Sequence, residues 1–393
     1  MPDTVPVYRP DLYSRAAILD PHPHYARLRE LGPVVRLPRH RAYALPRYAE
    51  CKAVLRDHDT FASGGGVALN PVTNRMSRDT TLASDGADHR RRRTLLAHRM
   101  LPRALRTIQE DVRQRAAETV AAAVRAGTVD GVTLAAALPL SIVPDLVGWP
   151  RDGRDHLLDW AAATFDALGP LNGRGVRTAP ANLAMLRYTR ALVRDRALLP
   201  GSAGADVLRA ADDGRIGPAE ATALMIDYLA PSLDTTIGAI SAALHLFATH
   251  PGQWEALRRD PGLVPNAVHE AVRYESPIRG FARTVRRPVE LAGTPVPAGA
   301  RVLVLYASAN RDPREWTEPG TFDIHRDATR QLGFGYGRHG CAGQALARLE
   351  AEAVLTALAE RVARIEVVGE PEWLPNNVIR RYARLPLRLV PAR

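Results

Sequence analysis

Cys341 stands in a glycine-rich run, Gly333 to Glu350, reading GFGYGRHGCAGQALARLE, and a sulfur in that setting is equipped to bind a metal. A metal-binding thiolate must lose its proton and stay charged, which calls for N–H donors, positive charge or a helix N-terminus nearby. Gly333, Gly335, Gly337, Gly340 and Gly343 carry no side chains, so backbone amides can turn toward the sulfur and a large flat ligand can approach. Phe334 offers an apolar shield, and His339 is a polar group two residues from the sulfur. The spacing of Ala345, Leu346, Leu349, Ala353 and Val354 predicts a helix starting directly behind the loop.

Several chemistries compete for that loop. A thiol among glycines is often a loop residue without function. Structural zinc has two competent ligands in His339 and Cys341, but zinc wants four, and the other cysteine, Cys51, lies far off in an amphipathic segment. A phosphate cradle would close on lysine followed by Ser or Thr, which this run lacks. A haem held by cysteine thiolate fits best.

The pattern Phe334-Gly335-x-Gly337-x-His339-x-Cys341-x-Gly343 resembles the cysteine-ligand loop of the cytochrome P450 monooxygenases, and the resemblance extends from about Asp20 to Pro391. It implies a mainly α fold with small β-sheets, the family's triangular prism, in a single domain over 1–393. The α-rich part would cover about 85–275, the β-containing parts about 33–47 and 277–325, and the haem-ligand loop 333–343. It also implies haem b (iron protoporphyrin IX) with Cys341 as its ligand, the thiolate pushing electron density toward O–O cleavage.

The elements that must position this loop follow in chain order. The pattern predicts a short helix over 24–31, a small sheet over 33–47, a helix from Tyr48 to Leu55 and a mobile loop from Thr60 to Asn70. In the family that loop caps the substrate pocket, which would give Gly65 a place in it; a plain surface turn is the other reading. In Asp85 to Arg99, His89 and Arg93 lie at i and i+4 on one helix face and suit an anionic carboxylate. The resemblance makes that carboxylate a haem propionate, with Arg283 and His339 as further partners. Arg90 to Arg92 read as a solvated face. Long helical patterns then cover 104–126, 152–168 and 180–198, and the longest covers 218–249.

That longest helix contains Ala230-Pro231-Ser232-Leu233-Asp234-Thr235-Thr236, which resembles the family's oxygen-binding segment. The resemblance assigns proton delivery to Asp234 and Thr235. A local helix bond from Asp234 to Thr235 or Thr236 is the alternative. Pro231-Ser232 replace the family's common Ala-Gly, and proline predicts a kink there. Glu270-Ala271-Val272-Arg273 resembles the family's buried Glu-x-x-Arg pair, with Arg326 as third partner, a structural role. Gln331 stands where many relatives carry histidine. After Pro277 the pattern turns strand-like, over 281–285, 289–292 and 301–306, and again near the C-terminus.

Composition limits the partners. Hydrophobic residues at 46% are ample for a core, and 24% charged argues against disorder. No apolar run approaches a membrane span, and the first residues lack the pattern of a signal peptide, so a soluble cytoplasmic enzyme is expected. Two distant cysteines suggest no disulfide framework. The net charge of +11 comes almost wholly from arginine, Lys52 being the only lysine. No basic stripe interleaved with aromatics points to nucleic acid. With the resemblance, the charge implies a ferredoxin or similar acidic electron-transfer protein docking beside the thiolate, with NAD(P)H upstream.

For substrate, the sequence looks closest to the bacterial subgroup oxidising small aromatics, including O-demethylation of methoxybenzoates. Where benzoate-oxidising members place basic and hydroxyl groups, this chain has Gly65, Ile226 and Asp227. The expected substrate is therefore neutral or cationic, with Asp227 either binding an amine or guanidinium or solvated and paired within its helix. Two other functions fit the same motifs. An oxidase coupling aryl or phenol rings in a peptide or other secondary metabolite would remove two hydrogens where insertion adds an oxygen. A haem-based sensor or carrier would turn nothing over.

Overall fold

The computed structural model describes residues 5–392. The expected mainly α architecture with small sheets is what the chain adopts. Its axis is the helix Pro218–Thr249, 32 residues long, with apolar residues on nearly every face and correspondingly buried all round. Gly131–Val147 and Leu157–Ala167 pack along it, and Val264–Glu275 and Gln344–Arg361 close the other side. Gly131–Val147 escaped the sequence reading because Pro139 and Pro144 interrupt its pattern. Its N-terminus is nevertheless capped by Asp130, which accepts from Val132 N at 2.9 Å, and burial holds it helical through both prolines.

Helix boundaries differ from the periodicity in an instructive way. The 104–126 pattern divides into Pro102–Leu105 and Gln109–Ala126, 152–168 begins as a short 3₁₀ turn, and 180–198 is preceded by Gly173–Arg177 and stops at Arg194. Apolar spacing continues across such breaks, whereas backbone hydrogen bonding does not.

The main sheet has five strands in the order Val35–Leu37, Ala42–Leu45, Arg301–Val304, Phe281–Val285, Phe61–Ala62. Only the Ala42–Leu45/Arg301–Val304 pairing is parallel. Register sets Arg283 opposite Val302 and Thr284 opposite Arg301, with Ala62 on the far side of Thr284. The strand Pro386–Pro391 lies between Thr128–Asp130 and Val362–Val367. Among the described residues no helix is long and apolar enough to cross a membrane.

Candidate haem-binding site

The cysteine loop is assembled by backbone bonds that leave the sulfur facing a cavity. Cys341 N donates to Phe334 O at 2.8 Å, Gly335 N to Leu332 O at 2.8 Å, and Gly340 N to Gly337 O at 3.0 Å. Gly335 and Gly337 have φ of 71° and 70°, and a Cβ on Gly337 would lie 2.7 Å from Leu55 O, so the loop closes only with glycine there. Gly343 caps Gln344–Arg361, so the sulfur sits at a helix N-terminus. Burial pushes the Cys341 thiol up, while the N–H groups of Gly343 and Gln344 and the Arg93 guanidinium draw it down. Burial prevails in this balance, and the two N–H groups and the guanidinium are the groups that favour an anionic sulfur.

The loop is anchored from behind by the expected ion pair. Arg273 forks onto Glu270 at 2.6 and 2.8 Å with both side chains fully buried, and Arg326 Nε approaches Glu270 Oε1 at 3.4 Å. Arg273 also donates to the carbonyls of Asn310, Pro319 and Thr321. Asn310 Oδ1 in turn accepts from Leu332 N at 2.7 Å, so the pair reaches the loop through one residue. Gln331 Oε1 accepts from Gly333 N at 2.5 Å, a local bracing bond at the position of its substitution.

The cavity encloses about 1420 Å³ of atom-free space, counting its open mouth. His89, Arg93, Arg283 and His339 all line it, with Phe334, Cys341 and Gly343. The His89 and His339 rings lie 4.2 Å apart, and His89 Nε2 is buried with no partner. Burial, then His339 and Arg93, push His89 down to about 4, so it is neutral near pH 7 in the absence of an anion. Two imidazoles and two guanidiniums converging on one wall, one buried nitrogen unpaired, fit the carboxylates of a haem, and the cysteine fits its metal. No cluster of three or more His, Cys, Asp or Glu of metal-binding kind occurs among the described residues, which removes the second half of a zinc site.

The opposite wall comes from the long helix, through Asp227, Pro231, Ser232, Thr235, Thr236 and Ala239. The helix continues through Pro231. Hydroxyls support it from within: Ser232 donates to Tyr228 O at 2.6 Å, Thr235 to Pro231 O at 2.6 Å and Thr236 to Ser232 O at 3.2 Å. Thr235 thus reaches the cavity, but Asp234 does not. It is fully buried and turned to Arg381, whose Nε donates to Oδ1 at 2.7 Å, while Oδ2 has no partner. Burial pushes Asp234 up and Arg381 opposes. The local bond to Thr235 or Thr236 is not formed.

Asp227 lines the cavity, as do Leu82, Phe165, Ile278, Phe281 and Tyr306, and it accepts from Thr81 N at 2.5 Å. Burial, opposed by Thr81 and Arg92, pushes it up to about 6. Two sequence expectations change. Gly65 does not line the cavity but packs on Thr284, where a Cβ would come within 2.4 Å of the hydroxyl. Arg91 and Arg92 are not a solvated face: both bind Glu220 on the long helix, Arg92 Nε at 2.9 Å, and only Arg90 of the trio is exposed.

Residues that sequence reasoning missed act over long chain separations: Arg381 on Asp234, Thr81 on Asp227, and Asp85, which faces His339 at 3.6 Å. Glu350 lines the cavity too, its carboxyl fully buried without partners and pushed up to about 8, hence uncharged at neutral pH. On the outer side of the loop, Lys52 Nζ lies 5.3 Å from the ring centres of both Tyr48 and exposed Tyr336.

Comparison with known proteins agrees with this geometry. The cytochrome P450 family model matches residues 201–362. The chain is 39% identical over 378 residues to cytochrome P450 CYP199A2 of Rhodopseudomonas palustris, covering 95% of this chain and 92% of that protein. It is 33% identical over 387 residues to the cytochrome P450 monooxygenase PikC of Streptomyces venezuelae, covering 94% and 91%. Among solved structures, P450BioI in complex with a hexadec-9Z-enoic acid-ligated acyl carrier protein superposes with a TM-score of 0.86 at 25% identity, covering 95% of this chain and 99% of that one.

Proposed function

The chain belongs to the cytochrome P450 family of haem oxidoreductases, and from that premise we propose that it inserts one atom of dioxygen into a neutral or cationic aromatic substrate, by hydroxylation or O-demethylation. The observation that carries the substrate class is Asp227, a carboxyl in the lining of a cavity whose wall also presents Leu82, Phe165, Ile278, Phe281 and Tyr306. Such a wall favours an aromatic ring, and the acid disfavours a benzoate carboxylate while it pairs with an ammonium or donates to a neutral polar group.

In this reading Cys341 holds the haem, with Phe334 and Gly343 beside the sulfur and His89, Arg93, Arg283 and His339 toward its carboxylates. When bound, the haem supplies the activation of dioxygen. The protein's part is proton supply and orientation. Arg381 grips Oδ1 of Asp234 and favours its anion, and the unpartnered Oδ2 is the atom free to take a proton. Thr235, whose Oγ1 now donates to Pro231 O, is the hydroxyl residue next to Asp234 that lines the cavity. Delivery from Asp234 to Thr235 therefore requires Arg381 to let go. Electrons would come from NAD(P)H through a ferredoxin or similar acidic protein, a reading supported by the net charge of +11.

The test is a ligand titration of the ferric protein. An aryl-ammonium ligand should bind about tenfold more tightly at pH 7.5 than at pH 5, because an acid pushed up to about 6 is largely protonated at the lower pH and ionised at the higher. Asp227→Asn should flatten that profile. Full low-to-high-spin conversion by benzoates at micromolar concentration would overturn the proposed substrate class.

A further inference from the structure

Asp85 occupies the N-cap of Gly86–Ala97, yet its carboxylate makes no bond to that helix. Capping is the ordinary use of aspartate at this position, so its partners elsewhere must compensate. Oδ1 accepts from Ser63 N at 3.1 Å and faces His339 Nε2 at 3.6 Å; Oδ2 accepts from Gly64 N at 2.7 Å and Arg286 Nη2 at 2.6 Å. Burial alone would raise this carboxyl, but His339, the two N–H groups and Arg286 together hold it below the usual carboxylate range.

The same segment is held from its other side by Arg301, at the start of the strand Arg301–Val304. Its Nη1 donates to Gly65 O at 3.2 Å and Thr284 Oγ1 at 2.5 Å, and its Nη2 to Gly66 O at 2.8 Å and to Ala68 O. Ala68 N donates to Asn74 Oδ1 at 2.9 Å, and Val67 O accepts from Ala282 N at 2.9 Å. Three glycines permit this grip by close approach: a Cβ on Gly64 would lie 2.7 Å from Asp85 Oδ2, and one on Gly66 2.1 Å from Asn74 Oδ1. Residues 63–68 are thus a strap in which the N–H groups of Ser63 and Gly64 are taken by an acid and the carbonyls of Gly65, Gly66 and Ala68 by a base. Where a mobile loop was expected, this stretch is hydrogen-bonded from both sides.

We propose that Asp85 and Arg301 are positioning residues that grip the 63–68 strap by its backbone, and that Asp85 sets the strap and the His339 imidazole together. One carboxylate holds Ser63 and Gly64 and faces His339, so a shift of the strap moves the acid, and a shift of the acid changes what His339 faces. The coupling rests on the reading of His339 as a partner of the haem carboxylates.

Hydrogen exchange over residues 60–70 and the rate of haem transfer from the holoprotein to an apoglobin scavenger test both halves. Asp85→Asn keeps the shape and removes the charge, and should speed exchange at Ser63 and Gly64 and haem transfer by about tenfold each. Gly64→Ala touches only the strap side of Asp85 and should also speed haem transfer; it decides the matter if Asp85→Asn does not accumulate. Arg301→Gln should speed exchange at Gly66 and Ala68. Unchanged exchange overturns the grip, and unchanged haem transfer in Asp85→Asn and Gly64→Ala overturns the coupling. If His339→Ala itself leaves haem transfer unchanged, the placement of His339 falls, and the coupling with it.

Discussion

Replacing Cys341 by alanine is expected to remove the Soret band of a thiolate-ligated haem from the reduced, carbon monoxide-treated protein, and to lower substrate turnover by at least about a thousandfold. No other group substitutes for that sulfur. Cys51 is fully buried, its Sγ donates to Leu45 O at 3.0 Å, and burial pushes its thiol well above the ordinary range. It packs beneath the five-stranded sheet with Val34, Leu45 and Val304, not in the cavity. A Cys341→Ala protein that keeps the thiolate band would refute the assignment of the ligand.

The second large effect is on stability. Arg273→Ala would strip the buried Glu270 of its two-bond partner and leave it only Arg326 at 3.4 Å, a loss of about 3 kcal/mol, and should yield protein of lowered thermal midpoint and low haem content. An ion pair of this kind is often replaceable by two apolar residues at little net cost, so Glu270→Leu/Arg273→Met isolates what else the arginine does. The double variant should remain destabilised, because the carbonyls of Asn310, Pro319 and Thr321 lose their donor and Asp323 N loses Glu270. Wild-type midpoint and haem content in the double variant would show that the pair does not hold the cysteine loop.

What the sequence made legible were features encoded within a few residues of one another. The positive-φ glycines of the cysteine loop, the His89/Arg93 face, the Glu270/Arg273 pair and the bounds of Pro218–Thr249 all rest on local spacing. What stayed hidden depends largely on partners outside the local pattern. Asp234 was placed on the right helix, yet its orientation is set by Arg381 from the C-terminal segment. The glycines at 64–66 suggested freedom of motion, because local composition does not distinguish a glycine that moves from one that makes room for Asp85, Thr284 or Asn74.

Arginine supplies all but one of the 53 basic side chains, which makes Lys52 chemically singular. Apart from the α-amino group, it is the only amine this chain offers to an acylating or carbodiimide reagent. It belongs to the helix Tyr48–Arg56 and rests against Tyr336 of the cysteine loop. A zero-length amide cross-link to the carboxylates of an acidic protein therefore has one addressable side chain on this molecule, on the outer side of the cysteine loop, and a single linked peptide would report which surface the electron donor occupies.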